Sequence, residues 1–363
     1  RYYLRYGVDL KEREEFTFSP VNFGVVLHAV IREVCDEIKK NGESYYLISD
    51  EKRREMVKRS VAAITDIYQN SILKDSSRNS FMIKRMEDLA DRTVWAMGEQ
   101  LKCGDFVPFV FEHKFNMEVG DGDRKQLMSG TIDRVDICEN GTDVYVRIID
   151  YKTGKKDFNI VKTYYGIDIQ LMVYMEAAMK LVAKMRPGKK VIPAGVFYYN
   201  ISDPIVSATT ESAEEIEDKI KGELRLKGMV NSDKDIAEKM DNTEGTSLNI
   251  PVSRKADGGF DSRRSKVMNT EQFNMLGRFV DARTVDTADR IAGGDIRRSP
   301  YKDGQFSSCD RCPYGAVCGF SVDLPGCNYR KLKKFDDEVL WNNIKEGVDE
   351  NGKKMDTGAE ERD

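Results

Sequence analysis

Nowhere along the chain does an apolar run approach the roughly 18 residues that a membrane-spanning helix needs, so the sequence offers no such span. No secretory signal peptide is legible at its start. Histidine is scarce, with two in 363 residues. A surplus of positive charge is also missing, because 58 Lys and Arg face 62 Asp and Glu, for a net charge of −4. Such a balance exerts no global attraction on nucleic acid. DNA binding would need local patches such as Lys52–Arg54, Lys155-Lys156, Arg297-Arg298 and Lys331–Lys334, which read first as solvated helix faces. The phosphate loop G-x-x-x-x-G-K-[ST] is absent, which excludes an ATP-driven motor within these residues. The seven cysteines are an odd number, and the other features read as intracellular, where disulfides are rare.

What remains is a chain with 40% hydrophobic and 33% charged residues, enough for a sizeable core under a large polar surface. It opens on Arg1 in an expected amphipathic helix (Tyr2, Tyr3, Leu4, Tyr6), so a piece of a longer protein is expected. No internal repeat is visible. Apolar periodicity predicts a helix over 20–40, with a stripe of Phe23, Val26, Leu27, Val30, Ile31 and Val34 and a stop at Asn41-Gly42. Further helices are predicted over 51–72, 79–102, 164–185 and 270–293, with a helical acidic–basic stretch over 211–240. Extended segments are predicted over 106–119 and 194–199. Residues 241–264, rich in Gly, Asp and Ser, read as a mobile loop. We expect one domain over 1–342, with 40–102 as a helical insertion, 303–330 as a cysteine-rich segment and 343–363 as a polar tail.

The segment Gly130–Gly154 carries the chemistry. Two apolar runs, G-T-I-D-R-V-D and V-Y-V-R-I-I-D-Y-K-T-G, face each other across the turn Glu139-Asn140-Gly141-Thr142, a hairpin signal. Each run holds an acid, Asp133 and Asp150, and Lys152 follows Asp150 by two residues. In a strand, i and i+2 share a face, so Asp150 and Lys152 point the same way. Two carboxylates converging on adjacent strands repel unless a hard cation lies between them. A single D-x-K more often decorates a solvated strand. Here Ile148-Ile149 makes Asp150 the polar end of a buried strand, and Asp133 stands at hairpin distance, which favours a site.

Other candidates have two readings. His28 lies on the apolar stripe four residues after Gly24; it is either a core histidine or, if its helix packs on the acid hairpin, a third metal ligand. Gly24, which costs helix stability, would be explained by the close approach of another backbone. Gln170 and Tyr174, at i and i+4, either cap the sheet or hydrogen-bond a phosphate, a water or the lysine. Glu112 is a further acid for the site or a solvent-facing residue. Cys309-x2-Cys312-x5-Cys318, with Cys327 beyond, is a ligand signal for zinc or an iron–sulfur cluster. Cys35, Cys103 and Cys138 read as small buried hydrophobes.

Together, Tyr2–Gly7, Gly24-x3-His28, Gly130-Thr-Ile-Asp-Arg-Val-Asp136, Ile149-Asp-Tyr-Lys-Thr-Gly154, Gln170-x3-Tyr174 and the cysteine run resemble the PD-(D/E)XK nuclease superfamily, and within it the nuclease domains of AddB-type helicase–nuclease subunits. The resemblance implies an α/β, restriction-endonuclease-like core, a mixed central sheet flanked by helices in αβββαβ order. It implies Mg²⁺ (or Mn²⁺) held by His28, Asp133, Asp150 and the Tyr151 carbonyl, with Lys152 orienting water or stabilising phosphate charge and Gln170 and Tyr174 in support. It implies a [4Fe–4S] cluster on Cys309, Cys312 and Cys318, whose remaining cysteine is expected upstream of Arg1, with Cys327 as a substitute. Without that cysteine, 303–330 is expected to be mobile or rearranged. The implied activity is a DNA exonuclease for double-strand-break processing in the cytoplasm, partnered by an AddA-type helicase–nuclease chain and fed single-stranded DNA. Alternatives are a catalytically inactive DNA- or partner-binding module and a stand-alone CRISPR-associated-type exonuclease.

Overall fold

The computed structural model describes residues 20–67, 77–120, 125–207, 211–310 and 312–360. The Tyr2–Gly7 motif and the expected opening helix lie outside them. Three helices come first: α1 (Pro20–Lys40), α2 (Asp50–Ile67) and α3 (Ser77–Lys102). Next are β1 (Val107–Val119), β2 (Gln126–Asn140) and β3 (Asp143–Lys152), then α4 (Ile160–Tyr164), α5 (Gln170–Met185) and β4 (Lys190–Asn200). With α2 and α3 as the insertion, this is the αβββαβ order expected of a restriction-endonuclease-like core. The chain continues through α6 (Ala213–Glu223), β5 (Lys227–Asn231), α7 (Lys234–Met240), β6 (Val267–Met268) and α8 (Thr270–Ala292). A small sheet of β7 (Tyr301–Asp303), β8 (Phe306–Ser307) and β9 (Arg330–Lys331) frames α9 (Gly315–Cys318), and α10 (Asp337–Glu360) follows.

The six-stranded sheet runs β1-β2-β3-β4-β5-β6. The first three strands are antiparallel, β3 and β4 are parallel, β4 and β5 antiparallel, and β5 and β6 parallel. Strand β3 shows why the sheet is covered on both faces. Its odd residues Tyr145, Ile149 and Tyr151 join the core built with α1–α3, while Val144, Val146 and Ile148 join the core built with α5 and α8. That period of two sends Asp150 and Lys152 to the α5 face. The apolar stripe of α1 is buried throughout; each such side chain contributes about 1.5–3 kcal/mol.

Charged residues lie inside the α1 side. Arg134 donates to Asp136 Oδ1 and Oδ2 at 2.7 and 2.6 Å, and Arg147 Nε donates to Asp136 Oδ2 at 2.9 Å, all three residues being at most 1% exposed. Because these residues sit on β2 and β3, the network pins the hairpin register that carries the acids.

Several expectations are corrected. The helix expected over 164–185 is two helices: Gly166, at φ 73°, breaks it, and the Thr163 hydroxyl donates to the Asp168 carbonyl to close the turn. The helical stretch over 211–240 is interrupted by β5. Gly228 permits this, since a Cβ there would lie 1.9 Å from the Val196 carbonyl oxygen on β4. Residues 241–264 pack instead of forming a loose loop: Ile250 and Val252 are buried, and the buried Asp241 carboxylate accepts from Ser247 and Asn249. The expected polar tail is helical to Glu360, and Leu340, Ile344 and Val348 of α10 pack into the α5–α8 core. Cys35 and Cys138 are buried as expected, but Cys103 is only half-buried.

Candidate active site

Strand β2 pairs with β3 as far as Arg134 opposite Ile149. Asp133 and Asp150 are the next residue on each strand, at the point where the ladder ends. Asp133 reaches across and accepts from the Tyr151 backbone N–H through Oδ2 at 2.7 Å. In a strand a residue's N–H and C=O point to the same side, so the Tyr151 carbonyl faces this gap too. On the other side of β2, Phe111 pairs with Arg134 and His113 with Ile132, which sets Glu112 beside Asp133. Glu112 has φ 47°, and among the described residues it is the only non-glycine with positive φ. Such strain, worth of order 1–3 kcal/mol, persists where the surroundings impose it.

Helix α1 supplies the imidazole. His28 Nδ1 lies 3.4 Å from Asp133 Oδ1 and 3.7 Å from Glu112 Oε1, and its ring meets Tyr151 edge-on, with centroids 5.9 Å apart. His28, Glu112 and Asp133 form the three-ligand group whose donor atoms all lie within 4.8 Å of one another. Burial disfavours charge on the imidazole, but the Asp133 and Glu112 carboxylates outweigh it and hold His28 up at about 10. The position that retains a proton so firmly also suits a cation.

Asp150, 2% exposed, is not part of that tight group. Burial and the Asp133 carboxylate push it up to about 6, against the pull of Lys152 and His28. Lys152 Nζ stands 2.6 Å from Asp150 Oδ2, but outside hydrogen-bonding geometry, so this buried oxygen has no hydrogen-bond donor. A buried acceptor in that condition is costly, and a hard divalent ion would satisfy it. Lys152 Nζ donates to Gln170 Oε1 at 3.0 Å, and Gln170 Nε2 donates to the Tyr174 hydroxyl at 2.9 Å. Gln170 opens α5, and Tyr174 lies one turn on. The Tyr174 hydroxyl keeps its proton for a further acceptor, since burial raises its pKa.

The structure therefore brings together His28, Asp133, Asp150, Tyr151, Lys152, Gln170 and Tyr174, and adds Glu112 as a tight neighbour. The sequence left Glu112 open because alternation alone cannot reveal a positive φ. Gly24 lacks the backbone neighbour expected for it: a Cβ there would meet the Thr153 methyl at 3.6 Å, an ordinary contact. The cysteines are not gathered. Among the described residues, no three of Cys309, Cys312, Cys318 and Cys327 form a ligand group, and Cys312 is exposed while Cys327 is buried. In this arrangement the thiols do not fit a metal cluster. The segment is nonetheless ordered by β7–β9, with the Asp310 carboxylate accepting from the Ser307 backbone and hydroxyl.

The sequence signature of the PD-(D/E)XK nuclease superfamily matches residues 1–319. The chain belongs to that superfamily. It is also similar to proteins named as the B subunit of an ATP-dependent helicase/deoxyribonuclease. The protein of Thermoanaerobacter sp. strain X514 is 33% identical over 98% of this chain, and that of Clostridium acetobutylicum 34% over 97%. The protein of Caldanaerobacter subterraneus subsp. tengcongensis is 34% identical over 100% of the chain. The chain spans 31–32% of these relatives' length. A mixed sheet flanked by helices, with acids and a lysine where its strands part, agrees with that superfamily. No helix among the described residues is long and apolar enough to cross a membrane.

Proposed function

We propose that this chain is the Mg²⁺-dependent nuclease module of an AddB-type helicase–deoxyribonuclease chain, hydrolysing DNA phosphodiester bonds as an exonuclease in double-strand-break processing. The observation that carries the reading is the meeting of His28, Glu112 and Asp133 beside the Asp150–Lys152 pair. The names of the relatives support DNA as substrate, an AddA-type chain as partner and the cytoplasm as setting.

The donor set is carboxylate oxygens, one imidazole nitrogen and a carbonyl, which suits Mg²⁺ or Mn²⁺. His28, Glu112, Asp133, Asp150 and the Tyr151 carbonyl would hold the ion. When bound, it supplies an acidified water and neutralises charge on the phosphoryl group. Asp150 needs to be ionised for this, and its pull toward the protonated form is relieved by a cation. Lys152, oriented by Gln170, sets an ammonium beside Asp150 to hold the attacking water or a phosphate oxygen. Tyr174 fixes the Gln170 amide, so that Gln170 accepts from Lys152. In the reaction, water oxygen bonds to phosphorus, one phosphorus–oxygen ester bond breaks, and the departing oxygen takes a proton.

The test uses the intact helicase–nuclease complex. Asp150→Ala and Lys152→Met should each abolish Mg²⁺-dependent cleavage while DNA binding is retained. A wild-type complex that binds DNA yet cuts nothing with Mg²⁺ or Mn²⁺ would make this a binding module.

A further inference from the structure

Immediately beyond Lys152, residues Thr153–Asp157 form one wall of a groove of about 1250 Å³, and Phe81–Leu89 of α3 form the other. We propose that this groove is a channel for single-stranded nucleic acid, with Phe81 as a base-stacking platform and Arg85, Lys155 and Lys227 as phosphate contacts. The proposal rests on the nuclease reading only for where the strand leads.

Charge distribution carries the first part. Most of the acids lining the groove are already paired: Asp157 with Lys266 at 2.6 Å, Asp203 with Arg92 at 3.3 Å and Asp88 with Lys84 at 3.9 Å. Glu223 is the exception. Arg85, Lys155 and Lys227 have no ion-pair partner among the described residues. The lining therefore carries near-balanced formal charge but presents its cations unneutralised, as a polyanion requires. Lys227 is half-buried, and burial together with Arg225 lowers its pKa, so an anion there would relieve it.

Exposed apolar side chains carry the second part. Phe81 is 65% exposed and Ile205 fully exposed, both on the groove. Unstacked bases find a partner on an aromatic face, at about 1–3 kcal/mol per base. A duplex keeps its bases stacked inside and gives Phe81 nothing to receive. Continuity carries the third part: the wall residue Thr153 directly follows Lys152, so a strand in the groove leads to the acids without crossing a barrier of chain. The insertion α2–α3 thereby acquires a purpose, since α3 builds the wall that the core elements leave open.

The experiment places the photo-crosslinking amino acid p-benzoyl-phenylalanine at position 81 of the intact complex. An oligo(dT) strand should crosslink there and a blunt duplex should not. Adding Arg85→Glu, Lys155→Glu and Lys227→Glu should cut the yield at least tenfold; the Arg85→Glu/Lys155→Glu pair alone, at exposed positions, guards against misfolding and should still lower it severalfold. The proposal is overturned by no crosslink in a complex that cleaves DNA, by equal crosslinking of duplex, or by yield indifferent to charge reversal. Crosslinking in a complex that never cleaves would leave the channel standing and remove the nuclease reading instead.

Discussion

Glu112 and Asp133 close on one atom, His28 Nδ1, at 3.7 and 3.4 Å, from adjacent strands. Glu112 does so from a left-handed backbone conformation, so its place costs strain that a solvent-facing residue would not bear. Replacing it with the isosteric amide removes one charged oxygen and leaves the shape. Glu112→Gln should raise the Mg²⁺ concentration needed for half-maximal cleavage by about 10–100-fold, the range seen when metal-site partners are removed, with maximal rate largely regained at high Mg²⁺. A metal titration of cleavage by wild type and variant decides it; identical curves would take Glu112 out of the site.

Asp136 is the sole carboxylate between two buried guanidiniums. Removing one member of such a group leaves uncompensated buried charge, typically costing about 3–5 kcal/mol. Asp136→Ala should destabilise by about that much and disturb the acids on the same hairpin. Urea unfolding is the measurement, and a loss below about 1 kcal/mol would show that the network is stabilised by other means.

Away from the site, Asp281 on α8 faces Glu176 on α5. Burial and the Glu176 carboxylate push Asp281 up to about 8, while Glu176, which also pairs with Lys180, is lowered. The opposite directions describe one proton shared by two carboxyls. Because the folded pKa of Asp281 is raised, its stabilising effect is complete below the ordinary carboxylate range and is lost as pH rises through about 8. Asp281→Asn keeps the donor without the charge. Its melting temperature should match wild type near about pH 5 and exceed it near about pH 9; a constant difference across that span would mean the pair does not titrate this way.

The thiols of Cys309, Cys312 and Cys318 are ungathered here. Residues 1–363 expressed alone should accordingly hold no stoichiometric iron and show no visible iron–sulfur absorbance. Iron analysis and an absorbance spectrum give the answer, and a full cluster on this chain would mean that the loop rearranges around Cys327.

The sequence was most legible where one period governs a whole segment. The stripe of α1, the hairpin across Gly141 and the buried β3 and β4 follow from apolar spacing, and the acids are placed by strand alternation once the hairpin is paired. It was least legible where conformation depends on a distant neighbour. Residues 227–231 became a strand because Gly228 fits against the Val196 carbonyl, and residues 241–264 became packed structure because Asp241 finds Ser247 and Asn249. Neither neighbour is visible in local composition.

The amino-acid order alone determined the family pattern, the hairpin, and the shared face of Asp150 and Lys152, because these depend on spacing along one strand. Only the tertiary structure decided that α1 delivers His28 to Asp133, that Glu112 turns in beside them, and that the cysteine sulfurs stay apart. Those outcomes depend on how separate elements pack and on a backbone angle that packing imposes, and no spacing in the chain encodes either.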